Sequence, residues 1–292
     1  MKVILFVAVL SLTRSFDAQT NEDTLKYSHS HHRMAWSASS VGIVSIGSIY
    51  GLGKLWYSQE NKSSFHIFND SRNWLQMDKM GHSYTCYEIT RGMDALFSWS
   101  GLNKKKSLWV SAGIGFGYLG AIEILDGFNK DWGFSFSDIA FNALGVGLYT
   151  FQEYYFSKQW FKPKFSFHPT EFARMRPEVL GENFVETLLK DYNGQTYWLS
   201  FSPGNMGVQK WPKWLMISAG HSINGRLKGD SEIYQGIQSH REFLFSLDID
   251  LTEIQVKSKV LKGILEALNT LKFPFPALIY SNGKLNARPI YF

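Results

Sequence analysis

The chain has 292 residues, a net charge of +5, 45% hydrophobic content and one cysteine. These figures exclude a disordered chain, an intramolecular disulfide and a metal cluster built on cysteines. The basic residues are scattered apart from Lys104-Lys105-Lys106, which reads as a solvated turn between helices, and no nucleic-acid motif accompanies it, so a nucleic-acid partner is not expected. The aromatic share of 16%, with ten tryptophans, suits either a broad packed seam or a membrane interface.

Met1-Lys2 and the apolar run Val3 to Leu10 read as a secretory signal peptide over residues 1–18, cut near Ala18 or Gln19. Residues 19–33 are polar, carry His29, His31 and His32, and read as an exposed tether. Met34 to Gly53 is twenty residues without a formal charge, a length that matches a bilayer, yet its interspersed Ser and Gly also suit a helix packed inside a bundle. Both readings stay open at this point. Asn73-x-x-Gln76 resembles a capping box for a helix running to about Trp99. In that helix Asp78 and His82 stand four apart, on one face. Cys86 follows one turn later and reads as a small buried hydrophobe.

The next apolar pattern, Leu108 to Phe128, has Gly113, Gly117 and Ala121 at fourfold spacing, which predicts close approach of another helix, and it ends in Glu123-Ile124-Leu125-Asp126-Gly127-Phe128. Ser135-x-x-Asp138 is a second capping box, opening a helix to about Phe156 that places Asn142 four residues after Asp138 and Gly145 a turn beyond. Past Lys162-Pro163-Lys164 the pattern changes. A short helix is expected over Glu182 to Asp191, strands over Thr196 to Phe201, Trp214 to Ala219 and Arg241 to Leu251, an amphipathic helix over Val260 to Leu268, and a hairpin at Asn282-Gly283. The last predicted strand ends in Phe292, as outer-membrane strands do, although so few strands would not complete a barrel.

Three otherwise apolar helices thus carry ionisable or amide side chains where Leu or Ala would pack. Each unpaired polar group costs about 1–3 kcal/mol to bury, so these groups are expected to converge. Asp78, His82, Glu123 and Asp138 are the candidate catalytic residues, with Lys79, Asp126 and Asn142 as candidate ligand-binding residues. A carboxylate accepting from one imidazole nitrogen fixes the tautomer and leaves the other for a proton or a metal. His82, Glu123 and Asp138 are accordingly the candidate metal ligands, for a divalent cation. The same set suits acid/base hydrolysis, and a sealed network that only fixes helix register is the alternative.

Asp78-Lys79-x-x-His82, Glu123-Ile124-Leu125-Asp126-Gly127-Phe128 and Asp138-x-x-x-Asn142-x-x-Gly145 resemble the pattern of the YfiM-like predicted periplasmic lipoproteins, a domain-of-unknown-function family. Their order is more distantly similar to that of VanZ-like membrane proteins. Lys190 to Ser200 and Ser246 to Leu251 are similar to longer members of the first family. The resemblance implies an exported bacterial envelope protein on the periplasmic side, associated with a membrane or the outer-membrane surface, and implies no reaction. The chain departs from the lipoprotein pattern in having no lipobox cysteine after the apolar run. The expected fold is mainly α: a bundle of about four helices over residues 34–160, then a smaller β-rich α/β segment over 161–292.

Overall fold

The computed structural model describes residues 26–56 and 62–292. The expected signal peptide and the first part of the expected tether lie outside these residues. The later part of that tether is helical instead, because α1 runs unbroken over Lys26–Trp56. Three further long helices follow: α2 Met77–Trp99, α3 Lys104–Asp126 and α4 Phe136–Phe156. The second half holds β1 Phe161–Phe167, three short helices α5 Phe172–Met175, α6 Pro177–Leu180 and α7 Phe184–Lys190, then β2 Gln195–Phe201 and β3 Leu215–Asn224. It continues with β4 Ile233–Tyr234, β5 Ile237–Gln238, β6 His240–Ile249, α8 Lys259–Leu268, β7 Phe275–Ser281 and β8 Lys284–Tyr291.

α2 is the axis of the helical half. Its Cys86, Ile89, Met93, Leu96 and Phe97 pack on Tyr118, Leu119 and Ile122 of α3 in one buried cluster. Burial of each such aliphatic side chain contributes about 1.5–3 kcal/mol. Met34, Val41, Val44 and Ile49 of α1 lean on the same cluster, while Ile43 and Ile46 on its other side are each 72% exposed. α1 is therefore a half-covered helix rather than a core one. Among the described residues, the helix long and apolar enough to cross a membrane is α3, and 44% of its most apolar window is buried inside the protein.

The glycines that admit close approach are not those that the fourfold spacing singled out. Among the described residues, nothing lies within 4 Å of where a Cβ would stand at Gly113 or Gly117. At Gly115 it would meet Thr90 Oγ1 at 2.3 Å, and at Gly145 the Ser83 carbonyl oxygen at 2.0 Å. The helix caps also divide. Ser135 Oγ accepts from the Asp138 N–H at 3.1 Å and Asn103 Oδ1 from that of Lys106 at 2.9 Å, so the three lysines occupy the first turn of α3 rather than an inter-helix turn. The capping box expected at Asn73 does not form. Trp74, Leu75 and Gln76 are instead three consecutive residues with positive φ, at 50°, 50° and 69°.

The mainly helical fold class is overturned by the second half, which contains eight strands. Six form one antiparallel sheet in the order β1-β2-β3-β6-β7-β8, and β4 and β5 form a separate ribbon. The sheet curls: Phe165 N–H donates to the Thr270 carbonyl at 3.0 Å and Lys272 N–H to the Phe165 carbonyl at 2.8 Å, so the chain just before β7 returns to β1. β1 was not expected because Pro163 argues against a strand, and it is accommodated in the terminal strand of the sheet order. β6 and the Asn282-Gly283 hairpin form where the sequence places them. The inner face of the curl is mixed, with Lys164, Ser200, Ser218 and Asp248 buried beside an apolar cluster of Trp198, Leu244, Ala277, Ile279 and Tyr291. The outer face carries Phe165, Tyr197 and Ile223, which pack on Leu75, Met77 and Tyr84 at the α2 end of the helices.

Candidate functional site

The first two turns of α2, the end of α3 and the start of α4 meet beneath the sheet's helix-facing edge. α2 supplies Asp78, Lys79 and His82, α3 supplies Glu123, and α4 supplies Asp138 and Asn142; five of these six are buried and Asp78 is partly so. The i, i+4 spacing of Asp78 with His82 and of Asp138 with Asn142 turns each pair toward the facing helix.

His82 Nδ1 lies 2.9 Å from Asn142 Oδ1. An amide oxygen only accepts, so Nδ1 carries the proton and Nε2 is left with its lone pair. That lone pair faces Glu123 Oε1 at 3.6 Å and Asp138 Oδ2 at 3.9 Å. Three acceptor atoms pointed at one another repel unless a proton or a cation lies among them. One donor atom each from Asp78, His82 and Asp138 also falls within a 4.8 Å group.

Lys79, one of the largest fully buried side chains, sits beside this trio. Its Nζ reaches Asp70 Oδ2 at 2.5 Å, Asp138 Oδ1 at 2.7 Å and Asp78 Oδ2 at 3.4 Å. Read from the sequence as a candidate ligand-binding residue, Lys79 stands here as the neutraliser of its acidic neighbours. Asp78 Oδ1 also accepts from the Tyr192 hydroxyl at 2.6 Å. One ammonium thus faces three carboxyl groups, and among the described residues Glu123 is a fourth acid with no Lys or Arg beside it.

The protonation states follow from that shortage. Burial pushes Glu123 up to about 9, with the charges of Asp138 and Asp126 adding to it. Burial and the Asp78 charge push Asp138 up to about 8, against the pull of Lys79. Burial acts on Asp78 in the same sense, but Lys79, His82 and the Tyr192 hydroxyl outweigh it and hold that carboxyl far below its ordinary value. Loss of water brings His82 down to about 4, against the pull of Asp78. At neutral pH the site therefore holds an anionic Asp78, a neutral imidazole and two carboxyls that retain protons.

A pocket of about 490 Å³ opens onto these groups. Asp78, His82, Glu123, Asp126 and Asp138 line it, with Trp74, Trp132 and Tyr192 among the apolar walls. Lys79 and Asn142 stand behind this lining. The Nδ2 of Asn142, wholly buried, finds no acceptor among the described residues. Asp70, Trp74 and Tyr192 did not emerge from spacing. Asp70 lies in a turn-rich stretch without periodicity, and Tyr192, although inside the segment similar to longer family members, comes from the other half of the chain. The mouth is fixed from that half too: the Trp74 N–H donates to the Gly229 carbonyl at 2.8 Å, and the Trp74 and Tyr192 rings lie 5.0 Å apart.

No curated protein and no solved structure matches the chain. A match to a family model covers residues 66–154, the stretch that contains Asp78, Lys79, His82, Glu123, Asp126, Asp138 and Asn142. It lends nothing to the more distant likeness to VanZ-like proteins. The matching family is described as predicted periplasmic lipoprotein (DUF2279), which is the family that the spaced motif resembles and which places the protein on the periplasmic, membrane-associated side of the cell envelope.

Proposed function

We propose that this envelope protein binds a divalent cation between His82 Nε2, Glu123 and Asp138, and that the pocket above it admits a ligand to that cation. The observation that carries this reading is the lone pair of His82 Nε2 directed at two carboxyl oxygens 3.6 and 3.9 Å away at the floor of an open pocket. An imidazole with mixed carboxylate oxygens suits Zn²⁺ or Mn²⁺, and the Asn142 contact fixes the tautomer such a ligand needs. A sealed, register-fixing network would have no such opening and no surplus of acids. Because Glu123 and Asp138 hold protons when no metal is bound, uptake releases them, and affinity rises as pH increases from about 6 to 9.

A second reading is favoured by the same protons. Two carboxyls raised to about 9 and 8 beside a neutral imidazole suit general acid/base hydrolysis of an envelope substrate, with His82 as base and Glu123 or Asp138 as acid. Metal analysis of the purified chain and of His82→Ala and Asp138→Asn separates the readings. The expected result is one equivalent of metal in the parent and loss from both folded variants. A metal-free parent that takes up no added Zn²⁺ or Mn²⁺ sinks the cation reading and leaves the acid/base one, to be tested by the pH profile of hydrolysis.

A further inference from the structure

The outer face of the curled sheet is apolar where a sheet facing water would be polar. Its inner face holds Lys164, Ser200, Ser218 and Asp248 together with Trp198, Leu244, Ala277, Ile279 and Tyr291, whereas the outer face away from α2 presents Leu199, Phe243, Phe245, Leu247, Leu278 and Tyr280, each between 40% and 55% exposed. The registers place them together: Phe243 pairs with Tyr280 and Phe245 with Leu278. A sheet solvated by water on its outer side turns polar residues outward; an outward set of large apolar residues belongs to sheets whose outer solvent is hydrocarbon.

The same character continues onto the helices. Phe156 at the end of α4 stacks on Trp160 at 4.2 Å, and Phe161 at the start of β1 lies 5.6 Å from Phe201, which links the outer surface of α4 to the outer face of the sheet. α1 and α3 add Ile43, Ile46 and Trp109, and Lys104 to Lys106 are exposed at the start of α3, where they complement anionic headgroups. A soluble monomer seldom exposes contiguous apolar area on this scale.

We propose that this outer surface, from the exposed sides of α1, α3 and α4 across the free part of the sheet, lies against the acyl chains of a lipid bilayer. Protein cover would need one partner that fits both a helix layer and a curled sheet, while acyl chains conform to both. The periplasmic, membrane-associated setting of the family agrees with this occupant. The inference is independent of what the pocket binds.

The test uses the full chain in isolated, freeze-thawed envelope membranes. In a Cys86→Ser background, single cysteines replace Phe245, Ile43 or the exposed Lys210, and each reacts with a water-soluble maleimide. Phe245→Cys and Ile43→Cys are expected to react at least about tenfold more slowly than Lys210→Cys, because hydrocarbon excludes the reagent and the water that the thiolate needs. The protein is also expected to stay in the pellet after alkaline carbonate and to leave it in detergent. Equal labelling rates overturn the proposal. So does protection together with release by carbonate, which would assign the surface to protein cover. The unsubstituted chain, reconstituted in phosphatidylcholine–phosphatidylglycerol vesicles with brominated acyl chains, gives a readout free of folding artefacts: loss of tryptophan fluorescence is expected, and unchanged fluorescence overturns the proposal.

Discussion

The molecule buries charge in several places, and two of them differ in how well they are matched. Inside the sheet, Lys164 Nζ reaches Asp248 Oδ2 at 2.8 Å, the Ile249 carbonyl at 2.8 Å and Asn269 Oδ1 at 3.1 Å, one acceptor for each of its three N–H bonds. Asp248 is satisfied in turn by Ser200 Oγ and by the N–H groups of Ile249 and Phe273. Neither residue lines the pocket of the site. Between the helices, by contrast, one lysine faces three carboxyl groups, a fourth acid has none among the described residues, and an opening reaches the group. Buried charge alone therefore does not mark a binding site; unequal numbers of opposite charges beside an opening do.

The largest expected effect tests that contrast directly. Lys164→Met leaves Asp248 buried without its counterion and is expected to cost about 3–5 kcal/mol, read by denaturant unfolding. Lys164→Met combined with Asp248→Leu should recover most of that loss. Lys79→Met should cost less than Lys164→Met, because neighbouring carboxyls can take up protons in place of the ammonium. Equal costs would erase the distinction between the two centres.

Next in size is Gly145→Ala. Its Cβ would press on the Ser83 backbone one residue after His82, so a loss of about 1–3 kcal/mol is expected, together with weakened ligand binding. Unchanged stability would show that α2 and α4 are not held in contact there.

The third test is the pH dependence of stability with chelator present. Folded Glu123 keeps its proton up to about 9, whereas the unfolded group loses it near 4.5. Across that window the folded state binds the extra proton, so stability falls as pH rises, by at most about 1.4 kcal/mol per pH unit for this group. His82 acts in the opposite sense at lower pH. Its folded value of about 4 lies below 6.5, so its contribution is present above 6.5 and lost as pH falls toward 4. Glu123→Gln should flatten the alkaline slope of the melting temperature and leave the acid one. An unaltered alkaline slope would remove Glu123 from the set of mismatched acids.

The smallest effect is expected at Gly113→Ala. With open space around the position, a gain of about 0.5–1 kcal/mol follows from helix propensity, measured by thermal unfolding. A loss would mean that the fourfold glycine spacing packs something after all.

What could be read in the sequence followed from how local its cause is. Asp78, His82, Asp138 and Asn142 declare themselves by i, i+4 spacing on apolar helices, and Ser135 by its cap, because neighbours in sequence decide both. Residues set by distant contacts were silent. Asp70 and Tyr192 join the site by reaching Lys79 and Asp78 from elsewhere in the chain, and the glycine that matters on α3 is Gly115, selected by Thr90 of another helix. The sheet was underestimated at β1, where Pro163 argues against a strand and the inward Lys164 and Ser166 give no apolar alternation to read.

The left-handed run at Trp74, Leu75 and Gln76 ties the halves of the chain together. Non-glycine residues in that region of backbone space cost about 1–3 kcal/mol each unless their surroundings hold them. Here the restraints come from far along the chain, from the Gly229 carbonyl on Trp74 and from Arg241 on the Gln76 side chain. A fragment trimmed to residues 66–154 would retain every ionisable group of the motif yet lose the clamp that shapes its entrance, so it should bind ligand poorly even where its helices remain intact.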